Sequence, residues 1–209
     1  MPLQSYNIPS SAIEVEEIIK GSQFITRVQN VSTSRDAKTF IKTLKTSYPG
    51  ASHHCWAYII GNPNSTTLIG CSDDGEPSGT AGKPMLHVLQ HAMIGDIVIV
   101  CTRYFGGTKL GTGGLARAYG GGVKLALDKL TTKVKIYYTK LAFYLDYSQQ
   151  KDFGHLLETY QSDKFTVNYS SKLEVSIELA SYEVVEFKQA LINLCKGDVE
   201  WIKQSKNIN

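Results

Sequence analysis

Two short stretches of this chain carry side chains able to grip a charged partner. Residues 103–115 read Arg-Tyr-Phe-Gly-Gly-Thr-Lys-Leu-Gly-Thr-Gly-Gly-Leu, five glycines in thirteen residues. Glycine leaves backbone N–H groups uncovered and permits positive φ, while Arg103 and Lys109 add cationic donors and Tyr104 and Phe105 add flat faces. A helix opening near Thr112 puts Gly113 and Gly114 in its first turn, where unpaired N–H groups and the positive dipole end favour an anion beside Arg103, Lys109 and Arg117. The same composition serves a plain strand-to-helix turn, so this stretch alone leaves both readings open. Upstream, residues 72–82 place Asp73, Asp74 and Glu76 close together, followed by Ser78 and Thr80. Three carboxylates in four residues suggest Mg²⁺, but EF-hand spacing and a distal bidentate Glu are missing, and turn chemistry accounts for Asp-Gly and Glu-Pro. The expectation is a structural or partner-binding loop, with Asp73 or Asp74 pairing with Arg103 if the two loops meet. No metal site and no cofactor are expected.

Other motifs fail on spacing. Gly111 to Ala116 matches G-x-G-x-x-A, yet eight residues separate Thr102 from Gly111 and position 131 is Thr rather than an acid, so no dinucleotide fold is indicated. A phosphate loop fails because Pro84 follows Gly82-Lys83 and Pro77 stands where its first glycine belongs. His53 and Cys55 fall on one side of a strand and, with the Asp73/Asp74/Glu76 loop, form the basis of an alternative reading as a small hydrolase or peptidase-like enzyme. No third orienting residue is apparent. His87 and His91, at i and i+4, read as a surface pair.

These residues need elements to hold them. Alternation at 12–20 and 24–28 predicts a β-hairpin, and Ser34 an N-cap for a helix stopped at Tyr48-Pro49-Gly50. Strands follow near 53–60 and 66–72, then a helix with Pro84 near its first position and Met85, Val88, Leu89 and Ala92 inward. The run 97–102 has no polar alternation and suits a central strand covered on both faces; the helix after it spans about Thr112 to Lys129. Asp128 to Lys133 reads as a linker. Beyond it strand 134–146, a helix after Ser148, strands 164–169 and 173–180, a helix at 183–194 and strand 199–202 give the ferredoxin-like βαββαβ order, with a frayed tail from Lys203.

Composition agrees with an ordinary globular chain: 209 residues, 42% hydrophobic and 20% charged, enough for one large or two small domains. No run of about 18 apolar residues appears, and Met1 to Ser5 lacks the regions of a signal peptide, so a soluble cytoplasmic protein without a membrane partner is expected. Cys55, Cys71, Cys101 and Cys195 form no Cys-x-x-Cys pair and read as reduced thiols. A net charge of +3 is too small to mark a nucleic-acid binder, but residues 97–127 carry Arg103, Lys109, Arg117 and Lys124 and no acid.

Taken together, the run Ser72-Asp73-Asp74-Gly75-Glu76-Pro77-Ser78-Gly79-Thr80-Ala81-Gly82 and the run Arg103-Tyr104-Phe105-Gly106-Gly107, continuing through Lys109-Leu110-Gly111 and Gly113-Gly114-Leu115, resemble the YigZ/IMPACT family in its bacterial two-domain form. Cys101, where the family usually carries an aliphatic residue, is a small departure. The resemblance implies an α+β protein. Residues 1–130 would form a ribosomal-protein-S5 domain 2-like α/β sandwich, as in domain IV of elongation factor G, and residues 131–209 a ferredoxin-like domain similar to domain V of that factor. Eukaryotic relatives regulate translation initiation under amino-acid stress, largely through an N-terminal RWD domain for which these 209 residues have no counterpart. The expectation is therefore a non-enzymatic regulator that binds RNA, the ribosome or a translation-related protein. Arg103, Tyr104, Phe105, Lys109, Gly113, Gly114 and Arg117 form its anion-contacting edge, and a protein-interaction module using residues 72–82 is the further alternative.

Overall fold

Alternating apolar residues near the start of the chain fold as β1 (Tyr6–Pro9), β2 (Ile13–Ile19) and β3 (Ser22–Asn30) in the computed structural model, which describes residues 5–64, 68–160, 162 and 164–202. Helix α1 (Ser34–Ser47) is capped by Thr33, whose Oγ1 accepts the Asp36 N–H at 3.1 Å; Ser34, the expected cap, is already the first helical residue. Next come β4 (His53–Ile59), β5 (Ile69–Ser72), α2 (Gly82–Ala92), β6 (Ile97–Tyr104) and α3 (Thr112–Lys129). Of the strand expected over 66–72, residues 66 and 67 lie outside the described residues.

The five-stranded antiparallel sheet has the order β2-β3-β6-β4-β5, so β6 is central and Ile97 to Arg103 are all buried, as its uniform apolar character requires. Helices α2 and α3 cover the face carrying Phe24, Cys55, Ala57, Ile97, Ile99 and Cys101. Helix α1 covers the other, where Val98 and Val100 meet Ala37, Ile41 and Leu44. Three successive glycines in the middle of α3 weaken a helix by roughly 1 kcal/mol each relative to Ala. At Gly122 the compensation is visible: a Cβ there would stand 2.6 Å from Thr26 Oγ1, so only glycine lets α3 lie this close to β3.

The segment read as a linker is in part a strand. Following α3, β7 (Thr132–Lys135) pairs antiparallel with β1, Tyr6 opposite Lys135. Buried Asp96 anchors this small sheet by accepting from Tyr6 Oη at 2.9 Å and Lys135 Nζ at 2.5 Å. Residues Tyr6–Lys135 thus form one unit of the chain, and the other begins at Ile136.

The second unit runs β8 (Tyr138–Leu145), a 3₁₀ turn at Tyr147–Gln149, α4 (Gln150–Thr159), β9 (Phe165–Tyr169), β10 (Leu173–Ala180), α5 (Val184–Leu194) and β11 (Glu200–Trp201). Its sheet order, β11-β8-β10-β9, is the ferredoxin-like one. Phe143, Phe153, Phe187 and Val175 fill its separate core. The expected strand over 134–146 is two strands, β7 and β8, belonging to different sheets. The tail from Lys203 lies outside the described residues. Both units mix helices with antiparallel sheet, and the chain is a two-domain α+β protein. Among the described residues no helix is long and apolar enough to cross a membrane.

Candidate functional site

The two sequence loops meet at the end of β6. Arg103 sits on the strand face that also carries Ile99 and Cys101, and alternation sends it beneath the helices rather than outward. It is only 5% exposed. Its Nη1 donates to Glu76 Oε1 at 2.6 Å and its Nη2 to Ser22 Oγ at 3.2 Å. Tyr119 from α3 donates its hydroxyl to the same Glu76 oxygen at 2.7 Å, with its ring edge-on to Phe24. The partner of Arg103 is therefore Glu76, not Asp73 or Asp74. A guanidinium held this way by a buried carboxylate joins the loops and is not presented to a ligand phosphate.

The aspartates are spent on partners within the fold. Asp73 Oδ1 accepts from the N–H groups of Ala81 and Gly82 at 2.9 and 2.8 Å, and Oδ2 from Gly79 N–H at 2.8 Å. These include the opening N–H groups of α2, so Asp73 does from a distance what an N-cap residue does locally. Burial raises its pKa, but the three N–H bonds and nearby Lys83 outweigh that and hold it below the ordinary carboxylate value. Asp74 pairs with Lys45 and accepts the His54 N–H at 2.7 Å; against the upward push of burial these contacts keep its carboxyl low as well. Thr80 Oγ1 donates to Pro77 O at 2.7 Å and is buried, while Ser78 is exposed. Among the described residues no group of three or more His, Cys, Asp or Glu side chains is placed to hold a metal ion.

His53 and Cys55 do reach this cluster, yet neither is free to react. Cys55 is fully buried and donates its Sγ–H to Asp73 O at 3.0 Å, and burial pushes the thiol's pKa far up. His53 Nδ1–H donates to Asp74 O at 2.9 Å, and Nε2 lies 3.9 Å from Glu76 Oε2, beyond hydrogen-bond distance. Cys55 thus lacks the exposed, activated thiol that the nucleophile reading of the strand pattern requires. His87 and His91 form the surface pair expected, their rings 4.4 Å apart.

The basic loop behaves differently. Gly106 is pinned under the β2–β3 turn, its N–H donating to Ser22 Oγ at 3.1 Å, and a Cβ there would fall 1.9 Å from the Gly21 carbonyl. From that anchor outward the side chains are open: Tyr104 is half-buried, Phe105 is 50% exposed, and Lys109, Gly113 and Arg117 are exposed with Gly114 partly so. Lys109 and Arg117 make no ion pair among the described residues. Gly111 occupies the N-cap position of α3 and has no side chain to bond the first-turn N–H groups, so that end of the helix is left without a side-chain cap. Between this loop and Glu76 lies a cavity of about 320 Å³, walled by Pro77, Phe105, Leu110 and Leu115. Leu110, Thr112 and Leu115 entered the sequence reading only as motif or helix-start residues and not as a cavity lining, and Ser22 and Tyr119, which complete the Arg103–Glu76 cluster, carried no local cue.

Comparison with known proteins matches this arrangement to one family. The Impact N-terminal domain family covers residues 20–127, the span that contains both loops and every strand of the five-stranded sheet except β2. An IMPACT family member of Haemophilus influenzae is 39% identical over 195 residues, covering 93% of this chain and 95% of that protein. The IMPACT family member YigZ of Escherichia coli is 38% identical over 198 residues, covering 95% and 97%. Among solved structures, a crystal structure of a hypothetical protein, 36% identical, covers 99% of this chain and 100% of its own, with a TM-score of 0.66. Family match, full-length relatives and the joined loops agree: this chain belongs to the IMPACT family.

Proposed function

We propose that this chain is a translation-associated regulator that docks on RNA through the edge formed by Phe105, Lys109, Arg117 and the first turn of α3. Family membership supports the link to translation. The observation that carries the RNA contact is the contrast in charge use: Arg103 is neutralised by Glu76, whereas Lys109 and Arg117 stand exposed, without ion pairs among the described residues, beside an uncapped helix start. Such an edge attracts backbone phosphates whatever the base sequence. Tyr104 and Phe105 supply stacking faces, and Arg103 acts by positioning the loop that carries them.

The test is binding of a structured RNA fragment or ribosomes across a salt series. Lys109→Ala with Arg117→Ala weakens binding and flattens the log–log salt slope by roughly one per lost phosphate contact. Unchanged affinity and slope in the double variant overturn the reading. Capture that survives nuclease treatment assigns the surface to a protein partner instead.

A further inference from the structure

The cavity beside the basic loop has opposite chemistry at its two ends. Its floor is the Arg103–Glu76 pair, with side chains 6% and 3% exposed, and its rim is Lys109, Gly111 and Thr112, all exposed. A buried carboxylate excludes a phosphate from the floor, while Lys109 and the first-turn N–H groups of α3 favour one at the rim. The floor still has hydrogen-bonding capacity. Both hydrogen bonds to the Glu76 carboxylate go to Oε1, and Oε2 has no hydrogen-bond partner among the described residues, with His53 Nε2 3.9 Å away. A carboxylate oxygen with accepting capacity left suits an amino or ring N–H on the hydrogen-bonding edge of a nucleobase. Between floor and rim the walls are apolar, Pro77, Leu110 and Leu115, and half-exposed Phe105 offers a ring face. A volume of about 320 Å³ lies at the low end of small-molecule sites and admits one such unit.

We propose that this cavity holds one unpaired nucleotide, with its phosphate at the start of α3 beside Lys109, its base stacked on Phe105, and its hydrogen-bonding edge toward Glu76. The proposal rests on the RNA-docking reading only for the source of the nucleotide, since a free nucleoside monophosphate has the same chemistry. A duplex, whose bases are paired and stacked, contacts the rim alone.

The experiment uses the full chain and four probes: nucleoside 5′-monophosphates, a six-nucleotide single strand, a blunt RNA duplex and inorganic phosphate. Two variants address the cavity without touching its floor: Phe105→Ala removes the stacking face, and Thr112→Trp plugs the exposed rim. Unchanged melting temperatures show that both remain folded. Single-strand affinity falls about tenfold or more in Phe105→Ala, as loss of one base–aromatic stack implies, while duplex binding by that variant stays within twofold; single-strand affinity falls likewise in Thr112→Trp. Free monophosphates binding with the same dependence on Phe105 identify the free nucleotide as a source. Equal single-strand affinity in wild type and both variants, or inorganic phosphate binding as tightly as the monophosphates, overturns the proposal. Dependence on Lys109 and Arg117 with none on Phe105 leaves RNA docking standing and removes the nucleotide slot. Monophosphate binding that requires Phe105, without any RNA binding, does the reverse.

Discussion

The loops at 73–82 and 105–113 are both polar and glycine-rich, and both flank the same buried ion pair, yet they dispose of their charges in opposite ways. In the first, Asp73, Asp74 and Glu76 all find partners within the fold: helix N–H groups, Lys45 and Arg103. In the second, Lys109, like Arg117 on the helix that follows, makes no ion pair among the described residues, and Phe105 stands half in water. A charge whose partner is internal contributes to stability, and one left outside contributes to recognition. The acidic loop is thus a clasp and the basic loop a surface, although composition alone gives them equal claims to function.

The difference is broken most severely at the shared ion pair. Glu76→Gln, or Arg103→Met made alone, leaves an uncompensated charge under α3 and lowers stability by about 3–5 kcal/mol, read from urea unfolding. Replacing both together, Arg103→Met with Glu76→Leu, recovers most of that loss, since a buried pair exchanged for apolar residues is often close to neutral. A single substitution that leaves the urea midpoint unchanged would mean that the pair does not hold the loops. Next in size is Asp73→Ala, which frees three N–H groups at and before the start of α2 and costs about 1–2 kcal/mol, as loss of a helix cap does.

Much of this architecture is legible in the residues, and what is not has a common cause. The bounds of α3 and the whole βαββαβ order follow from local periodicity and turn residues. Thr132 and Lys133, the first half of β7, look like the end of a linker because their side chains say nothing of β1, the distant segment they pair with. Arg103 reads as a phosphate ligand for the same reason. Its burial is set by Glu76, 27 positions away, and Ser22, 81 away, and because β6 is apolar on both faces its pattern does not say which side closes over the guanidinium. The pairing of the two loops was visible as composition, but the use made of each charge is a long-range property.

Acid separates the two loops by a smaller effect. Asp73 and Asp74 have carboxyls held below their ordinary values, so their contribution is fully present above the unfolded-state pKa and is lost as pH falls through the folded one. Burial lowers the pKa of His54, whose Nε2–H donates to Tyr48 O at 3.2 Å, and this acts in the same direction: the unfolded chain takes up its proton first as pH falls below about 6.5. Stability therefore declines gently from about pH 6.5 and more steeply below about pH 4. Asp73→Asn flattens the lower limb in thermal melts across that range, and a limb of unchanged steepness would show that Asp73 is not its source.

The smallest expected effect on stability is also the one that bears most directly on function. Lys109→Ala and Arg117→Ala remove charges that the fold does not use, so each should shift unfolding by no more than about 0.5 kcal/mol, the range of ordinary surface substitutions. If either destabilises the protein well beyond that, its charge belongs to the clasp and the division between the loops fails. If both leave stability untouched while RNA affinity and its salt slope fall, the division holds: the acidic loop and Arg103 set the shape of the edge, and the basic loop meets the partner. Measuring both quantities on the same preparations is essential, because a loss of binding caused by unfolding would imitate a loss of contact.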